Sequence, residues 1–173
     1  ADVCDDTGNI DPAAVEAAIT PRTKAIVAVD YAGHPADMHE LRRIATRHSL
    51  LLIEDAAHSL GSHYLDRPVG SLADLTTFSF FPTKNITTAE GGAVASTDPN
   101  LLAKVRLFAN QGLVRDPTQH LLLEEGPWHQ EVHHFGLNYR LSGVLAALGA
   151  SQLERLNHFR RRRAEIKAGY DSH

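Results

Sequence analysis

The sequence predicts an α/β protein with a mixed, mostly parallel sheet and flanking helices. Short apolar runs of strand length alternate with helical patterns, and an early strand, helix, strand unit implies a right-handed crossover between parallel strands. Acidic residues stand directly after two of these runs. Because ligands of such sheets bind beyond the carboxyl ends of the strands, we expect the functional residues there.

The first elements follow from capping residues and hydrophobic spacing. An Asp-Pro pair opens a short helix over residues 11–19, and apolar residues at helical spacing predict an amphipathic helix over 41–48. The runs 24–29 and 51–54 are rich in Val, Ile and Leu, as is typical of strands that are buried on both faces. Together they form the strand, helix, strand unit.

The rest of the chain mixes strands, loops and helices. Hydroxylic and aromatic residues predict a third strand, and glycines and prolines mark the loops around it. The expected elements are a strand at 75–80, a polar loop at 81–92, a strand at 93–96, a helix at 98–107, a mostly irregular segment at 110–134, and one long helix or two over 141–168.

The composition excludes several classes of protein. With 43% hydrophobic and 22% charged residues among 173, the chain is typical of one globular domain. A net charge of −4 argues against a nucleic-acid or anionic-membrane surface, and no long apolar run is present. The single Cys4 cannot form an internal disulfide, so we expect a cytoplasmic protein that binds a small molecule.

Lys84 is the lysine best placed for chemistry. Lys24, Lys104 and Lys167 enter a strand or lie on helices, where solvated side chains are expected. Lys84 instead follows a predicted strand within a loop of small hydroxylic residues. A lysine amine forms a Schiff base with a carbonyl when its pKa is lowered. The alternative is an ordinary exposed loop lysine.

Asp55 lies at the mouth of a buried strand, where a carboxylate is costly unless it faces a cation or a donor. The protonated ring nitrogen of pyridoxal phosphate is one such cation, and a fixed carboxylate beside it makes the ring an electron sink. Asp55 also suits the N-cap of a helix over 56–60. Both roles are compatible.

Other polar residues near the predicted strand ends and helix starts are candidates for binding. Ser79 and Ser142 each offer a donor to a phosphate, and His58 offers a ring that stacks or hydrogen-bonds. Asn138 and Arg140 precede a helix, where an amide and a guanidinium reach a phosphate or carboxylate. Taken singly, each is equally compatible with a structural or surface role.

Three segments carry a specific resemblance: 53–61 (IEDAAHSLG), 78–92 (FSFFPTKNITTAEGG) and 136–141 (GLNYRL). They resemble the DegT/DnrJ/EryC1/StrS family of pyridoxal-phosphate sugar aminotransferases, and residues 23–38 and 146–153 are also similar to that family. The resemblance implies an aspartate aminotransferase-like fold of type I, with a large domain and a smaller C-terminal domain.

The same resemblance implies roles for five residues. Lys84 would bind the cofactor covalently, Asp55 would face the pyridinium nitrogen, and His58 would lie against the ring. Ser79 would bind the phosphate, and Asn138 would reach the phosphate of the neighbouring subunit's cofactor, which implies a homodimer with shared sites. Lys84 argues against the family's dehydratases, in which histidine replaces this lysine.

The implied reaction transfers an amino group from L-glutamate to a nucleotide-linked keto-deoxysugar. The segments 87–92 and 136–141 most resemble family members that act on UDP-linked 4-keto-6-deoxy-N-acetylhexosamines in the pseudaminic acid pathway. Phe81 departs from the histidine that is frequent in the family. Family members are also much longer, so residues 1–173 are expected to be a central part of the large domain, without its N-terminal portion and the small C-terminal domain.

Two other functions compete with this interpretation. The surplus of eleven histidines suggests a metal-dependent hydrolase, with ligands drawn from Glu54, Asp55, His58, His129, His133 and His134. No ligand spacing supports it, since the adjacent His133 and His134 point apart on a strand, and no metal site is expected. The second alternative is a non-catalytic fragment that serves only in assembly. The run 160–163 of four arginines surrounds a helix axis and is expected to be solvated.

Overall fold

A computed structural model describes residues 1–122 and 125–172, and it confirms the predicted α/β architecture. The helices are α1 (Pro12–Ala18), α2 (Met38–Arg47), α3 (Pro99–Ala109), α4 (Gly143–Glu154) and α5 (Leu156–Asp171). The strands are β1 (Ala25–Val29), β2 (Leu51–Asp55), β3 (His63–Tyr64), β4 (Arg67–Pro68), β5 (Leu75–Ser79), β6 (Gly92–Ala95), β7 (Leu113–Val114) and β8 (Glu131–Val132).

The main sheet has four strands in the order β1-β2-β5-β6. β1 and β2 are parallel, β2 and β5 are parallel, and β6 runs antiparallel to β5. The crossover from β1 to β2 is made by α2, as the strand, helix, strand pattern predicts. The carboxyl ends of β1, β2 and β5 therefore meet at one edge of the sheet.

Capping side chains fix the starts of the helices, and the Asp-Pro pair that the sequence predicts at α1 is one of them. Asp11 accepts a hydrogen bond from the Ala13 N–H, and Asp37 accepts one from the Glu40 N–H at the start of α2. These side chains satisfy N–H groups that the first turn of a helix leaves without partners. At the start of α4, the Ser142 hydroxyl accepts a bond from the Leu145 N–H.

The hydrophobic core lies on one face of the sheet. α2 contributes the fully buried Leu41 and Ile44, and the sheet contributes Ile26 and Leu52, with Val15 of α1 alongside. These residues recur at the periods expected of a helix and a strand, so one stripe of each element is buried.

The expectation that the first two strands are buried on both faces is wrong. On β1, Ile26 and Ala28 are buried, whereas Val27 is 53% exposed and Val29 45% exposed. On β2, Leu52 is buried while Leu51 is 40% exposed. An apolar run shows only that both faces tolerate apolar residues. Burial of the second face depends on an element that packs there.

The chain divides into two compact units, Ala1–Thr97 with Ser142–His173, and Asp98–Leu141. In the first unit, the unpredicted β3 and β4 form a small antiparallel hairpin, and the C-terminal helical pattern gives two helices that meet at Arg155. In the second unit, β7 and β8 pair within the predicted loop 110–134, of which 123–124 lie outside the described residues. No helix in 1–122 or 125–172 is long and apolar enough to cross a bilayer.

Candidate active site at the carboxyl edge of the sheet

The predicted strand-end residues share one face of the sheet. Glu54 of β2 pairs in register with Thr76 of β5, and both are buried on the core side. Since side chains alternate along a strand, Asp55 and its register partner Thr77 lie on the opposite face. Ser79 is two residues beyond Thr77 on the same face, about 7 Å further along the strand. Asp55 and Ser79 therefore lie at neighbouring strand ends and face the same side.

Asp55 holds the turn that follows its own strand. Its Oδ1 accepts a hydrogen bond from the Ala57 N–H at 3.1 Å, and its Oδ2 has no hydrogen bond to any described residue. The helix suggested for 56–60 is wrong, because residues 57–61 form turns. Asp55 thus caps a turn with one oxygen and leaves the other available. His58 lies in this turn with its side chain exposed.

A buried pair of side chains, Asp30 and Ser59, anchors the turn after β2. The Ser59 hydroxyl donates to Asp30 Oδ2 at 2.5 Å, and Asp30 Oδ1 accepts from the Ala36 N–H at 3.1 Å. Asp30 and Ser59 are both fully buried. Burial raises the pKa of the Asp30 carboxyl, and the hydrogen bond from Ser59 acts in the opposite direction. Asp30 therefore positions the turn and is shielded from solvent.

A glycine allows the chain to approach this turn closely. Gly33 has φ +88°, and a Cβ atom there would lie 2.9 Å from the His58 carbonyl oxygen. A side chain at this position would strain the backbone and push the turn outward. The Ser62 hydroxyl donates to the Gly33 carbonyl at 3.0 Å, which adds a second bond between the two segments.

Glu54 is buried on the core side, beneath the strand end. Its Oε2 accepts from the Thr76 hydroxyl at 2.9 Å and from the Gly70 N–H at 3.2 Å. Its Oε1 is buried with no hydrogen-bond partner among the described residues. Burial raises the pKa of this carboxyl, and the nearby Asp30 adds to the rise.

Lys84 lies in the loop that leaves the end of β5. The loop is closed on the Phe80 carbonyl, which accepts from the Thr88 N–H at 2.9 Å and from the Thr87 hydroxyl at 3.0 Å. The Lys84 N–H donates to the Phe81 carbonyl in a turn. The Lys84 side chain is half-buried, and within 1–122 and 125–172 it has no carboxylate partner. Its amine is therefore not held in an ion pair with a described residue.

Asn85 joins the lysine loop to the turn after Asp55. Its Nδ2 donates to the Leu60 carbonyl at 2.8 Å and more weakly to the His58 carbonyl at 3.4 Å. Because Asn85 is the direct neighbour of Lys84, these bonds bring the lysine loop against the turn that Asp55 caps. The structure thus brings the segments of Asp55, His58, Ser79 and Lys84 together.

The Ser79 hydroxyl donates no hydrogen bond to any residue that the structure describes. Its oxygen accepts a long bond, 3.4 Å, from the Phe81 N–H. A hydroxyl that accepts in this way can still donate its proton to an oxygen of a bound anion. Phe81, which departs from the family's histidine, is 44% exposed beside it.

The remaining candidates have other partners or lie in the second unit. Asn138 is exposed in that unit and forms an isolated bridge with Asn110. The Arg140 guanidinium donates to the side chains of Asn110 and Gln111. The Ser142 hydroxyl accepts a hydrogen bond from the Leu145 N–H at 3.3 Å as the cap of α4, and like Ser79 it can still donate its proton. Arg140 and Ser142 each have a structural partner in their own part of the chain.

Within the described part of the chain, the ligands suggested for a metal-dependent hydrolase do not form one cluster. No group of three or more possible ligands in the described part of the chain contains Glu54, Asp55 or His58. Glu54 is directed into the core and bonded there to Thr76 and Gly70. The residues that sequence reasoning missed at this site are Ser59 and Asn85. A serine or asparagine in a polar segment carries no signal of a partner 25 or more residues away.

Comparison with known proteins identifies the family. The whole of residues 1–173 matches the sequence pattern of the DegT/DnrJ/EryC1/StrS aminotransferase family. The chain belongs to the DegT/DnrJ/EryC1/StrS aminotransferase family. This assignment confirms the resemblance of the three segments, and the architecture agrees with the type I fold of pyridoxal-phosphate enzymes.

Curated relatives in the DegT/DnrJ/EryC1/StrS family match almost the whole chain. The spore coat polysaccharide biosynthesis protein SpsC of Bacillus subtilis is 40% identical over 172 residues, which are 99% of this chain and 44% of SpsC. The UDP-4-amino-4,6-dideoxy-N-acetyl-beta-L-altrosamine transaminase of Campylobacter jejuni is 41% identical over 167 residues, 95% of this chain and 42% of the relative. The chain therefore spans less than half the length of these relatives.

A solved structure is similar to the chain over the same extent. PseC of Helicobacter pylori, an aminotransferase involved in the biosynthesis of pseudoaminic acid, superposes with a TM-score of 0.88 at 38% identity, over 99% of this chain and 44% of PseC. The DegT/DnrJ/EryC1/StrS family depends on pyridoxal phosphate, and a sugar aminotransferase of Streptococcus pneumoniae in its PLP form, with a TM-score of 0.85 at 29% identity, is among the similar structures. The site residues fit this cofactor. Counting partners among residues 1–122 and 125–172, a lysine without a carboxylate partner, a carboxylate with one free oxygen and a serine with a free donor lie at one sheet edge.

Proposed function

We propose that this chain is part of the large domain of a pyridoxal-phosphate aminotransferase. The enzyme would transfer an amino group from an amino acid, L-glutamate, to a nucleotide-linked keto-deoxysugar. The observation that carries the proposal is the Asn85 bridge, which holds the Lys84 loop against the turn capped by Asp55. An amine and a carboxylate on adjoining segments at the carboxyl edge of the sheet are what this cofactor requires.

Each of the proposed residues would do one task. The Lys84 amine would attach the cofactor until the amino group of the donor displaces it. The freed amine would then carry a proton between the α-carbon of the donor and the C4′ carbon of the cofactor, as general base and acid. The free oxygen of Asp55 would accept a hydrogen bond from the pyridine N–H and keep that proton in place. When bound, pyridoxal phosphate supplies the electron sink that makes the α-proton acidic.

The other residues would hold the cofactor. The Ser79 hydroxyl would donate to its phosphate, and the exposed imidazole of His58 would lie against its ring. Asn138 would reach the phosphate in the neighbouring subunit, which makes the enzyme a homodimer. A cytoplasmic location remains a prediction from the composition.

The substrate class is supported by the relatives. The Campylobacter relative is named for a UDP-linked amino sugar, and a similar structure, DesI, was determined in the presence of its TDP-sugar product. DesI is 39% identical to this chain, with a TM-score of 0.75 over 91% of it. We propose a UDP-linked 4-keto-6-deoxy-N-acetylhexosamine as the amino acceptor.

The test is covalent capture of the cofactor by one lysine. Purified protein is mixed with pyridoxal phosphate, the visible absorption band of the lysine-bound cofactor is recorded, and borohydride reduction followed by peptide mass spectrometry locates the adduct. We expect the band and an adduct on Lys84, both lost in Lys84→Ala. Lys104→Ala is the matched control, because Lys104 is exposed on α3 and should not affect either signal.

The outcomes separate the alternatives. A band that persists in Lys84→Ala, or an adduct spread over several lysines, would refute the assignment of Lys84. No band at saturating cofactor would favour the non-catalytic fragment. Where the band forms, adding L-glutamate should remove it and release 2-oxoglutarate, and a failure of this step alone would refute the amino donor.

A further inference from the structure

Several histidines gather around one glutamate in the second unit. His120 follows a 3₁₀ turn (Pro117–Gln119), and Glu131 opens β8. One ligand atom each from His120, His129 and Glu131 lie within 4.8 Å of one another. The His120 residue and the Glu131 side chain are each only 9% exposed, so the cluster is shielded from solvent.

Three members of the cluster alternate along the chain at and beside β8. His129, Glu131 and His133 are each two residues apart, and side chains of that spacing share a face of an extended chain. Glu131 Oε1 lies 3.1 Å from His129 Nε2, and Oε2 lies 2.6 Å from His133 Nε2. The carboxylate is therefore held between two imidazoles.

The backbone fixes the carboxylate further. Glu131 Oε2 accepts from the Leu121 N–H at 2.7 Å, and Oε1 accepts from the Leu122 N–H at 2.9 Å. These two amides directly follow His120, so they tie the His120 segment to Glu131. Four hydrogen-bonding groups, two imidazoles and two backbone amides, thus surround the Glu131 carboxylate and set the geometry of the cluster.

One ring nitrogen of His120 has no hydrogen-bond partner among the described residues and is available to a ligand. The other nitrogen, Nε2, lies 3.2 Å from the Val114 carbonyl, and a carbonyl only accepts, so Nε2 carries the hydrogen and Nδ1 keeps its lone pair. The rings of His120 and His129 are 5.2 Å apart at 85°. Since the lone pairs lie in the ring planes, perpendicular rings can direct them at one point.

We propose that His120, His129 and Glu131 bind a Zn²⁺ ion that clips the His120 turn to β8. Zinc prefers imidazole nitrogen and carboxylate oxygen at about 2.0–2.2 Å, in a tetrahedral arrangement whose ligand atoms are about 3.3 Å apart. The ligand atoms lie within 4.8 Å of one another, so each pair has to approach by about 1.5 Å at most to reach this spacing. Rotation of the side chains supplies that movement. Water would occupy the fourth position, and His133 would orient the carboxylate from its other oxygen.

This inference is independent of the proposed aminotransferase function. It uses no residue of the Lys84 site, and its tests need neither the cofactor nor a substrate. The sequence alone predicts no metal site, because the adjacent His133 and His134 point apart, and His120 is not among the candidate ligands that it suggests. The fold brings His120 and His129 together by returning the chain to the His120 segment.

The experiment measures zinc affinity by competition. Protein without a histidine tag is stripped with a chelator and titrated with ZnCl₂ in the presence of a chromogenic zinc chelator. We expect one zinc per chain and a rise in melting temperature of about 5–10 °C at a 100-fold excess of zinc over its dissociation constant. His133→Ala should weaken binding about 10- to 100-fold, as the loss of an orienting residue does.

Two matched variants make the result decisive. His129→Gln keeps a donor to Glu131 but offers no imidazole, so it should fold normally and weaken zinc binding more than 100-fold. His134→Ala removes the exposed neighbouring histidine and should leave the affinity unchanged. The proposal is overturned if the wild type does not bind zinc, if His129→Gln binds as tightly as the wild type, or if His134→Ala loses binding to the same degree.

Discussion

Replacing Ser59 by alanine tests whether the buried Asp30 anchors the turn after Asp55. The Ser59 hydroxyl donates to Asp30 Oδ2 at 2.5 Å, and both residues are fully buried. No water can therefore replace the lost donor without rearrangement. We expect the variant to be destabilised, and by more at high pH than at low pH.

The magnitude follows from the charge of Asp30. When this carboxyl is ionised, the lost bond is charge-assisted and costs about 1.5–3 kcal/mol, whereas a neutral bond costs about 1 kcal/mol. For a chain of 173 residues, about 2 kcal/mol lowers the melting temperature by about 4–8 °C. The loss at low pH should be about half as large.

The direction of the pH dependence follows from the pKa of Asp30, which burial raises in the folded state. The folded protein therefore binds the proton more tightly than the unfolded chain does. The stabilisation that Asp30 contributes is fully present below its pKa in the unfolded chain, about 4. It is lost as the pH rises through its pKa in the folded protein. Without Ser59 the folded pKa is higher still, so the loss continues to higher pH.

Thermal unfolding of Ser59→Ala and wild type, followed by circular dichroism between about pH 4 and pH 8, measures this difference. Ser62→Ala is the control, because it removes a neutral bond of the same turn, to the Gly33 carbonyl, and should cost about 1 kcal/mol at every pH. An equal loss for Ser59→Ala at both ends of the pH range would refute the reasoning.

Two further predictions concern the strands that carry the site. Glu54→Gln should stabilise the protein by about 1 kcal/mol at about pH 8 and have no effect near pH 4, since burial raises the pKa of Glu54 and its Oε1 has no partner among the described residues. Melting curves at both pH values measure this, and a destabilised variant at pH 8 would contradict it. Gly92→Ala should lower stability by about 1–3 kcal/mol and weaken cofactor binding, because its Cβ would lie 2.6 Å from a backbone carbonyl oxygen beside Ser79. Gly169→Ala, which meets nothing within 4 Å on a helix, should instead raise the melting temperature slightly.

Much of the fold was predictable because the signals are local. The proline and aspartate at the start of α1, the cap of α2 at Asp37 and the apolar spacing of its core stripe are fixed within a few residues of each other. The same holds for Lys84 and Asp55, whose positions after strand ends are visible in the sequence. Caps and periodicity depend on the geometry of one turn or one strand, so they are visible without knowledge of the fold.

The α/β class, most of the elements and the residues proposed to bind the cofactor can be predicted from the sequence alone. Three features depend on how the chain folds: which face of β1 is covered, the bonds by which Ser59 and Asn85 hold the turn beside Lys84, and the approach of His120 to Glu131. These contacts join residues separated along the chain, and a polar side chain shows nothing of its partner until folding brings the two segments together. Burial likewise belongs to the packing of elements and cannot be assigned to a strand alone.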